Sequence, residues 1–196
     1  MYYNTMYSII LPIHNEDESL PQLFGEIEQA FTGKKYEIIA VEDCIGNKWE
    51  ALRIGIERAK GDSIITMDAD LQDDPGEIKK LLITGYDVVS GWRKNRQDPL
   101  YKILLTRLAN SIYGFHDFSS PMKVYRKSAL DRLPKEGALL RYSYLFAHKY
   151  GLKITEVPVA HRARIYGKSK FGIVKYFRIL YDLLLIRLFF WGSNRV

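Results

Sequence analysis

Two carboxylates one residue apart, Asp68 and Asp70, stand where the apolar run Ile64–Met67 breaks into Ala69-Asp70-Leu71-Gln72. The run reads as a buried strand, so both acids fall where it frays into a loop, and an irregular backbone lets them face one point. Mg²⁺ and Mn²⁺ take carboxylate, carbonyl and water oxygens, and they are commonly held by one or two carboxylates plus the phosphates of a substrate. A sparse Asp-x-Asp pair suits that use better than a closed metal cage does. The same spacing fits a polar strand terminus followed by a helix cap, and on spacing alone that plainer reading is the stronger.

What must position the pair is legible as an alternation of strand and helix patterns. Tyr7–Ile13 reads as a strand; Asn15 offers a helix cap, with Glu16, Asp17 and Glu18 in the first turn of a helix reaching Phe31 and stopping at Gly33. Strands follow at Tyr36–Val41, Ile64–Met67 and Tyr86–Ser90, separated by helices over Trp49–Ala59 and from Pro75 to Thr84. Helical patterns over Pro99–Tyr113, Ser128–Leu133 and Leu139–Tyr150 then alternate with short strands at Met122–Tyr125 and Lys153–Val159. This rhythm predicts an open, mainly parallel α/β sheet with helices on both faces, whose ligands lie beyond the carboxyl ends of the strands. Polar clusters fall at each such end: His14, Asn15 and Glu16, then Glu42 and Asp43, then Asp68 and Asp70, then Gly91 and Arg93. A shared edge raises the weight of the functional reading, since an isolated helix cap has no reason to coincide with three other clusters.

Composition narrows the classes. A chain of 196 residues with 47% hydrophobic content can bury one substantial core and is neither disordered nor repetitive. One cysteine, Cys44, and an apolar Tyr7–Ile13 run too short for a signal-peptide core predict a reducing, cytoplasmic setting. The net charge of +6 is confined to residues 161–190, where Arg162, Arg164, Lys168, Lys170, Lys175, Arg178 and Arg187 face a single acid, Asp182. That local field calls for a polyanion: nucleotide phosphates, anionic lipid or nucleic acid. Nucleic acid is disfavoured, because the basic charge is not interleaved with an exposed base-stacking platform. The apolar stretch Phe171–Trp191 carries four charges and reads as a basic amphipathic helix, suited either to a membrane interface or to packing on its own domain or a partner.

The ensemble resembles the family 2 glycosyltransferases of the GT-A fold, near the dolichol-phosphate mannosyltransferase and bactoprenol-phosphate glucosyltransferase group. The residues that carry the likeness are Ser8–Glu16, Tyr36–Asp43, Ala59-Lys60-Gly61-Asp62, Met67–Asp73 and Gly85–Gly91. It continues through His116-Asp117, Lys123–Arg126, Val157-Pro158-Val159 and Arg162–Phe171. The likeness implies a Rossmann-like GT-A domain over residues 1–166, with a mixed, mainly parallel sheet, followed by the amphipathic helix over 167–196. It implies inverting transfer of a sugar from a nucleoside-diphosphate sugar, such as GDP-mannose or a UDP-sugar, to a polyprenyl or dolichyl phosphate, aided by Mg²⁺ or Mn²⁺. By the same likeness Pro12, His14, Asn15, Glu16, Glu42, Asp43, Lys48 and Ala69 would line the nucleotide. Asp68, Asp70 and Gln72 would hold the metal, and Arg162, Arg164 and Lys168 would close on the diphosphate from a mobile loop. Arg93 and Ser120 would take the acceptor phosphate, with Asp68, Asp70 and Arg93 the catalytic set.

Two departures bear on this. Between Asp43 and Lys48 an entire αβ unit of the relatives is missing, which would thin one wall of the nucleoside pocket and expose a strand edge to a second copy of the chain. Ser119-Ser120-Pro121 also replaces a glycine-bearing acceptor loop. The expected setting is the cytoplasmic face of a membrane, reached through the carboxyl-terminal helix or a separate membrane subunit. Two alternatives stay open: transfer to a glycan hydroxyl, and a non-catalytic module binding a nucleotide sugar or lipid phosphate.

Overall fold

The computed structural model describes residues 5–14, 16–42, 48–96, 100–135, 137–163, 179 and 181–188. Six strands form one sheet: β1 (Met6–Ile13), β2 (Lys35–Glu42), β3 (Ser63–Thr66), β4 (Val88–Arg93), β5 (Lys123–Arg126) and β6 (Ile154–Val159). Their order across the sheet is β2-β1-β3-β5-β4-β6. β2, β1 and β3 run parallel, as do β4 and β6, while β5 is antiparallel to both β3 and β4. The carboxyl ends of the five parallel strands therefore meet at one edge, and the reversed β5 brings its amino-terminal residue, Lys123, to that same edge.

The helices are α1 (Leu20–Ala30), α2 (Lys48–Arg58), α3 (Ile78–Leu81), α4 (Leu100–Tyr113), α5 (Lys127–Leu130) and α6 (Ser143–Lys149), with 3₁₀ turns at Pro75–Glu77 and Gly137–Tyr142. Side chains alternate across each strand, so the sheet carries a core on each face. On one, Ile9, Leu11, Ile65 and Val89 pack with Leu23, Ile27 and Phe31 of the α1 region; on the other, Ile10, Ile64 and Val88 pack with Leu52 and Ile56 of α2 and Tyr144 and Leu145 of α6.

The doubly covered, mainly parallel sheet expected from the alternation is present, with differences in element bounds: the third helix ends at Leu81 rather than Thr84, the expected Ser128–Leu133 helix is Lys127–Leu130, and the expected Leu139–Tyr150 helix is split into a 3₁₀ turn and α6. α1 begins at Leu20 rather than beside residue 15, because the ring of Pro21 would collide with the carbonyl four residues upstream in any longer helix. β4 extends through Arg93, so Gly91 and Arg93 lie on the strand and not beyond it. The packing there is close: a Cβ at Gly91 would stand 3.0 Å from the Val159 methyls and 3.4 Å from the Met122 carbonyl oxygen, so any side chain would have to push Val159 aside. The 3₁₀ turn at Pro75–Glu77 replaces the first turn of the third helix, capped by Asp74, whose Oδ1 accepts from the Gly76 amide at 2.8 Å.

At the opposite margin, β2 is an edge strand paired only with β1 among the described residues. Residues 181–188 are helical and pack through Leu183 and Ile186 into the α2 and α6 core. Tyr113 donates to the Leu183 carbonyl at 2.5 Å and Tyr142 to Asp182 at 3.0 Å. The other side of this segment, Tyr181, Leu184, Leu185 and Leu188, is exposed.

Candidate active site at the carboxyl edge of the sheet

The Asp68–Asp73 loop is held from several sides. The Ser19 hydroxyl, at the start of α1, is shared between the carbonyls of Ala69 at 2.6 Å and Glu16 at 2.7 Å. Asp70 is buried and its Oδ1 accepts from the Gln72 amide at 3.1 Å, closing a tight turn. Leu71 between them sits at φ 62°, in the left-handed region that a branched residue rarely enters, and its side chain is fully buried in the core that keeps it there.

Asp68, Asp70 and Asp73 crowd one another. Burial, then the charges of Asp68 and Asp70, push the Asp73 carboxyl well above the usual carboxylate range, with Arg93 opposing the shift. One Asp73 oxygen, Oδ1, is buried without a hydrogen-bond partner. Lys48, the first residue of α2, ion-pairs with Asp68. A set of carboxylate oxygens that repel one another, draw in a lysine and leave one buried oxygen unpartnered is chemically suited to a hard cation. Among the described residues no three acidic, histidine or cysteine side chains form a complete metal cage.

β6 delivers the next component. Its exit pairs His161 with Asp73 in an isolated antiparallel bridge, and the Arg162 amide donates to the Gln72 carbonyl at 2.8 Å. The amide side chain of Gln72 reaches the Arg162 carbonyl at 3.5 Å. The basic segment thus starts directly against the aspartate loop. The Arg162 guanidinium is engaged by Glu26 at 2.7 Å and Asp74 at 2.8 Å, so in this structure it ties the segment to α1 and the loop. Its sequence-based role as a diphosphate ligand calls for a different arrangement of that side chain.

A second cluster lies on the β4 and β6 side. Arg93 donates from Nε to Asp117 Oδ2 at 2.6 Å and from Nη2 to Oδ1 at 3.0 Å, a two-point pair that is almost fully buried. Burial alone would raise the Asp117 carboxyl; the Arg93 charge and hydrogen bonds outweigh it and hold it down at about 2. Glu156 of β6 accepts from the amides of His116 and Asp117, both at 2.8 Å, and Asn110 of α4 bonds the His116 carbonyl at 2.6 Å. The 116–120 loop is therefore rigidly framed. Ser119 Oγ donates to Asp117 at 3.0 Å, while the buried Ser120 Oγ has no partner.

Of the residues named from sequence, Asp68, Ala69, Asp70 and Gln72 lie in the aspartate loop with Lys48 of α2 paired to it, and Arg93 and Ser120 flank Asp117. Pro12 is the buried penultimate residue of β1, His14 and Glu16 follow the strand with the His14 amide donating to Glu16 at 2.8 Å, and Glu42 closes β2. Asn15, Asp43, Arg164 and Lys168 lie outside the described residues. Three participants had no assigned role: Asp73, Asp117 and Lys123. The first two stand in acidic motifs that resemblance had already marked. Lys123 opens the Lys123–Arg126 segment that also carried the likeness, but its charge in an apolar strand gave no hint of a role.

Comparison with known proteins bears on the fold that carries these residues. The model of glycosyl transferase family 2 matches residues 46–134. Solved structures of the same architecture include glucosyl-3-phosphoglycerate synthase from Mycobacterium tuberculosis with Mn²⁺ and UDP-glucose, at TM-score 0.72 and 17% identity over 95% of this chain and 80% of that one. Mannosyl-3-phosphoglycerate synthase from Rubrobacter xylanophilus superposes equally, at TM-score 0.72 and 15% identity, over 98% of this chain and 76% of that one. The fold is GT-A. Among curated relatives, undecaprenyl-phosphate 4-deoxy-4-formamido-L-arabinose transferases are 29% identical in Proteus mirabilis and 30% in Photorhabdus laumondii, each over 90% of this chain. This GT-A chain spans 66% of the length of those relatives. Each alignment is 215 residues long against a chain of 196, so the relatives carry residues that it lacks, in keeping with the missing edge unit.

Proposed function

We propose that this GT-A chain is a metal-dependent, inverting glycosyltransferase that moves a sugar from a nucleoside-diphosphate donor to a polyprenyl phosphate. The observation that carries the reading is the meeting, at one sheet edge, of the crowded Asp68–Asp73 loop with the framed Arg93–Asp117–Ser120 cluster. The names of the curated relatives point to the same acceptor class, and two of the solved GT-A neighbours' names point to sugar transfer.

Asp68 and Asp70, with Gln72 beside them, would hold Mg²⁺ or Mn²⁺, which when bound supplies positive charge to a departing diphosphate. Lys48 stands on the same carboxylate and adds a cationic donor to that side of the site. The residue 161–162 strut brings the basic segment to the loop, from which Arg164 and Lys168 would reach the diphosphate. Pro12, His14, Asn15, Glu16, Glu42 and Asp43 would border the nucleoside at the ends of β1 and β2.

A phosphate monoester is already ionised near neutral pH, so it needs positioning and no general base. The acceptor side fits that economy: Asp117 is neutralised by Arg93, and Glu156 is taken up by two backbone amides. Neither is placed to deprotonate a hydroxyl, which weighs against a glycan acceptor. The retained aspartates and the basic segment weigh against a module that only binds.

The site would work at a cytoplasmic membrane face. Among the described residues no helix is long and apolar enough to cross a membrane. α4, which joins the two halves of the acceptor cluster, exposes Leu100, Leu104, Leu108 and Ile112 along one side, and the adjoining 181–188 segment exposes Tyr181, Leu184, Leu185 and Leu188. Arg187 donates to the Ile112 carbonyl at 2.9 Å, joining the two helices. Apolar stripes flanked by Arg107 and Arg187 suit an anionic lipid surface.

The decisive experiment incubates the protein with a panel of nucleotide sugars, Mn²⁺ or Mg²⁺ and a short polyprenyl phosphate, and reads release of nucleoside diphosphate, with Asp70→Ala as control. Lipid-dependent release lost in Asp70→Ala is expected. Release indifferent to lipid would redirect the acceptor, and no release from any donor would favour the binding module.

A further inference from the structure

Lys123 occupies an unusual place. It opens β5, directly opposite Thr66 of β3 and Ser90 of β4, so one lysine is interleaved between the strand that carries Asp68 and the strand that carries Arg93. Directly opposed residues in antiparallel strands project to the same face, which puts the Lys123 and Ser90 side chains side by side. The lysine is only 5% exposed. Among the described residues its ammonium has one hydrogen-bond acceptor, the Ser120 carbonyl.

An ammonium carries three donors, and a buried one calls for acceptors and a counter-charge. The carboxylates near enough to act on it are Asp117 and Asp68, but each is already matched, Asp117 by Arg93 and Asp68 by Lys48. Burial accordingly pushes the Lys123 ammonium down to about 7, with Asp117 opposing and Arg93 and Lys48 reinforcing the shift. Two buried hydroxyls beside it, Ser90 Oγ and Ser120 Oγ, have no hydrogen-bond partner. Buried polar atoms in native proteins are nearly always satisfied, and a small group of orphans marks where a water, ion or ligand belongs.

A tetrahedral anion with several acceptor oxygens has the chemistry that a lysine ammonium and two unpartnered hydroxyls call for. Arg93 is the obvious cation from sequence, yet its fork is closed on Asp117, so its charge is balanced before any substrate arrives. We propose that Lys123, with the hydroxyls of Ser90 and Ser120, forms the floor of the acceptor-phosphate site, and that Arg93 acts as a positioning residue through Asp117. The assignment rests on the polyprenyl-phosphate reading above and adds the group that recognises the phosphate.

The test measures binding of farnesyl phosphate and of inorganic phosphate by calorimetry, without donor, to the full chain and to Lys123→Met, Lys123→Arg and Ser90→Ala. Binding of a nucleoside diphosphate with Mn²⁺ is measured in parallel. Charge-assisted bonds of this kind predict that Lys123→Met weakens farnesyl phosphate at least about tenfold, that Lys123→Arg recovers most of it, and that Ser90→Ala weakens it roughly threefold. Nucleotide affinity should change much less than farnesyl phosphate affinity in all three, since Lys123 acts on Asp68 only through space and no hydrogen bond of the aspartate loop is altered. A Lys123→Met protein that melts no lower than the wild type and has lost phosphate separates this role from a structural one; should it not fold, the Ser90→Ala arm carries the test. Unchanged farnesyl phosphate affinity, or equal loss of nucleotide, would overturn the assignment. If inorganic phosphate binds in a Lys123-dependent way while farnesyl phosphate binds no better, the phosphate floor stands and the polyprenyl reading fails.

Discussion

Arg93 and Asp117 meet in a parallel two-point ion pair, at 2.6 and 3.0 Å, that ties the end of β4 to the loop entering β5. The pair does for the 116–120 loop what the Asp70–Gln72 turn does for the aspartate loop: a buried carboxylate fixes the course of the backbone.

Breaking one half of that pair leaves a buried charge alone. Asp117→Ala is expected to lower unfolding free energy by about 3–5 kcal/mol, while Asp117→Leu combined with Arg93→Met loses much less, because a desolvated pair contributes little net over an apolar replacement. Urea denaturation of the two variants checks this. Since the folded carboxyl is held down at about 2, its contribution is fully present above the unfolded value near 4 and fades only as pH falls through about 2.

The buried lysine has the opposite signature. With its folded value pushed down to about 7, the unfolded chain binds the extra proton between about pH 7 and 10, and unfolding free energy should rise with pH across that window. The slope is at most roughly 1.4 kcal/mol per pH unit. It is measured as the difference between wild type and Lys123→Met, which cancels the tyrosines titrating nearby. A wild type and variant with parallel pH profiles would remove the claim.

The exposed stripes on α4 and residues 181–188 lead to a membrane test. Flotation with vesicles containing anionic lipid should retain the wild type. Leu104→Glu with Leu108→Glu, at positions 63% and 55% exposed, should release it without altering the melting temperature. Release of neither protein from neutral vesicles, or retention of both on anionic ones, would count against α4 as the contact.

The β2 edge bears on assembly. Lys35 and Glu42 stand at opposite ends of an eight-residue strand, so a second copy paired antiparallel would set each lysine against a glutamate and cover the open backbone groups. Sedimentation is expected to show a concentration-dependent dimer, and Ile38→Pro should abolish it by removing an amide and fixing the backbone. A monomer at all concentrations would remove this pairing.

Much of the architecture was legible because both signals involved are local. The strand-helix rhythm follows from apolar spacing, and Asp68, Asp70 and the polar residues after β1 and β2 could be placed at one edge because a parallel sheet sends all its carboxyl ends the same way. Boundaries slipped where a local rule was overlooked, as with Pro21 setting the start of α1, or where pairing extended a strand, as with β4 running through Arg93 alongside β6. Arg162 illustrates a further limit. Its charge was visible, but its partners Glu26 and Asp74 lie far from it along the chain, and only the β6 crossover brings them together.

The sequence by itself determined the α/β class, the acidic loop at a strand end and the confinement of excess positive charge to residues 161–190, since these depend on residue type and near-neighbour spacing. Tertiary structure decided which charges are already balanced. Electrostatic neutralisation acts through space, and the reversal of β5 that sets Lys123 between β3 and β4 follows from packing, which spacing along the chain does not encode.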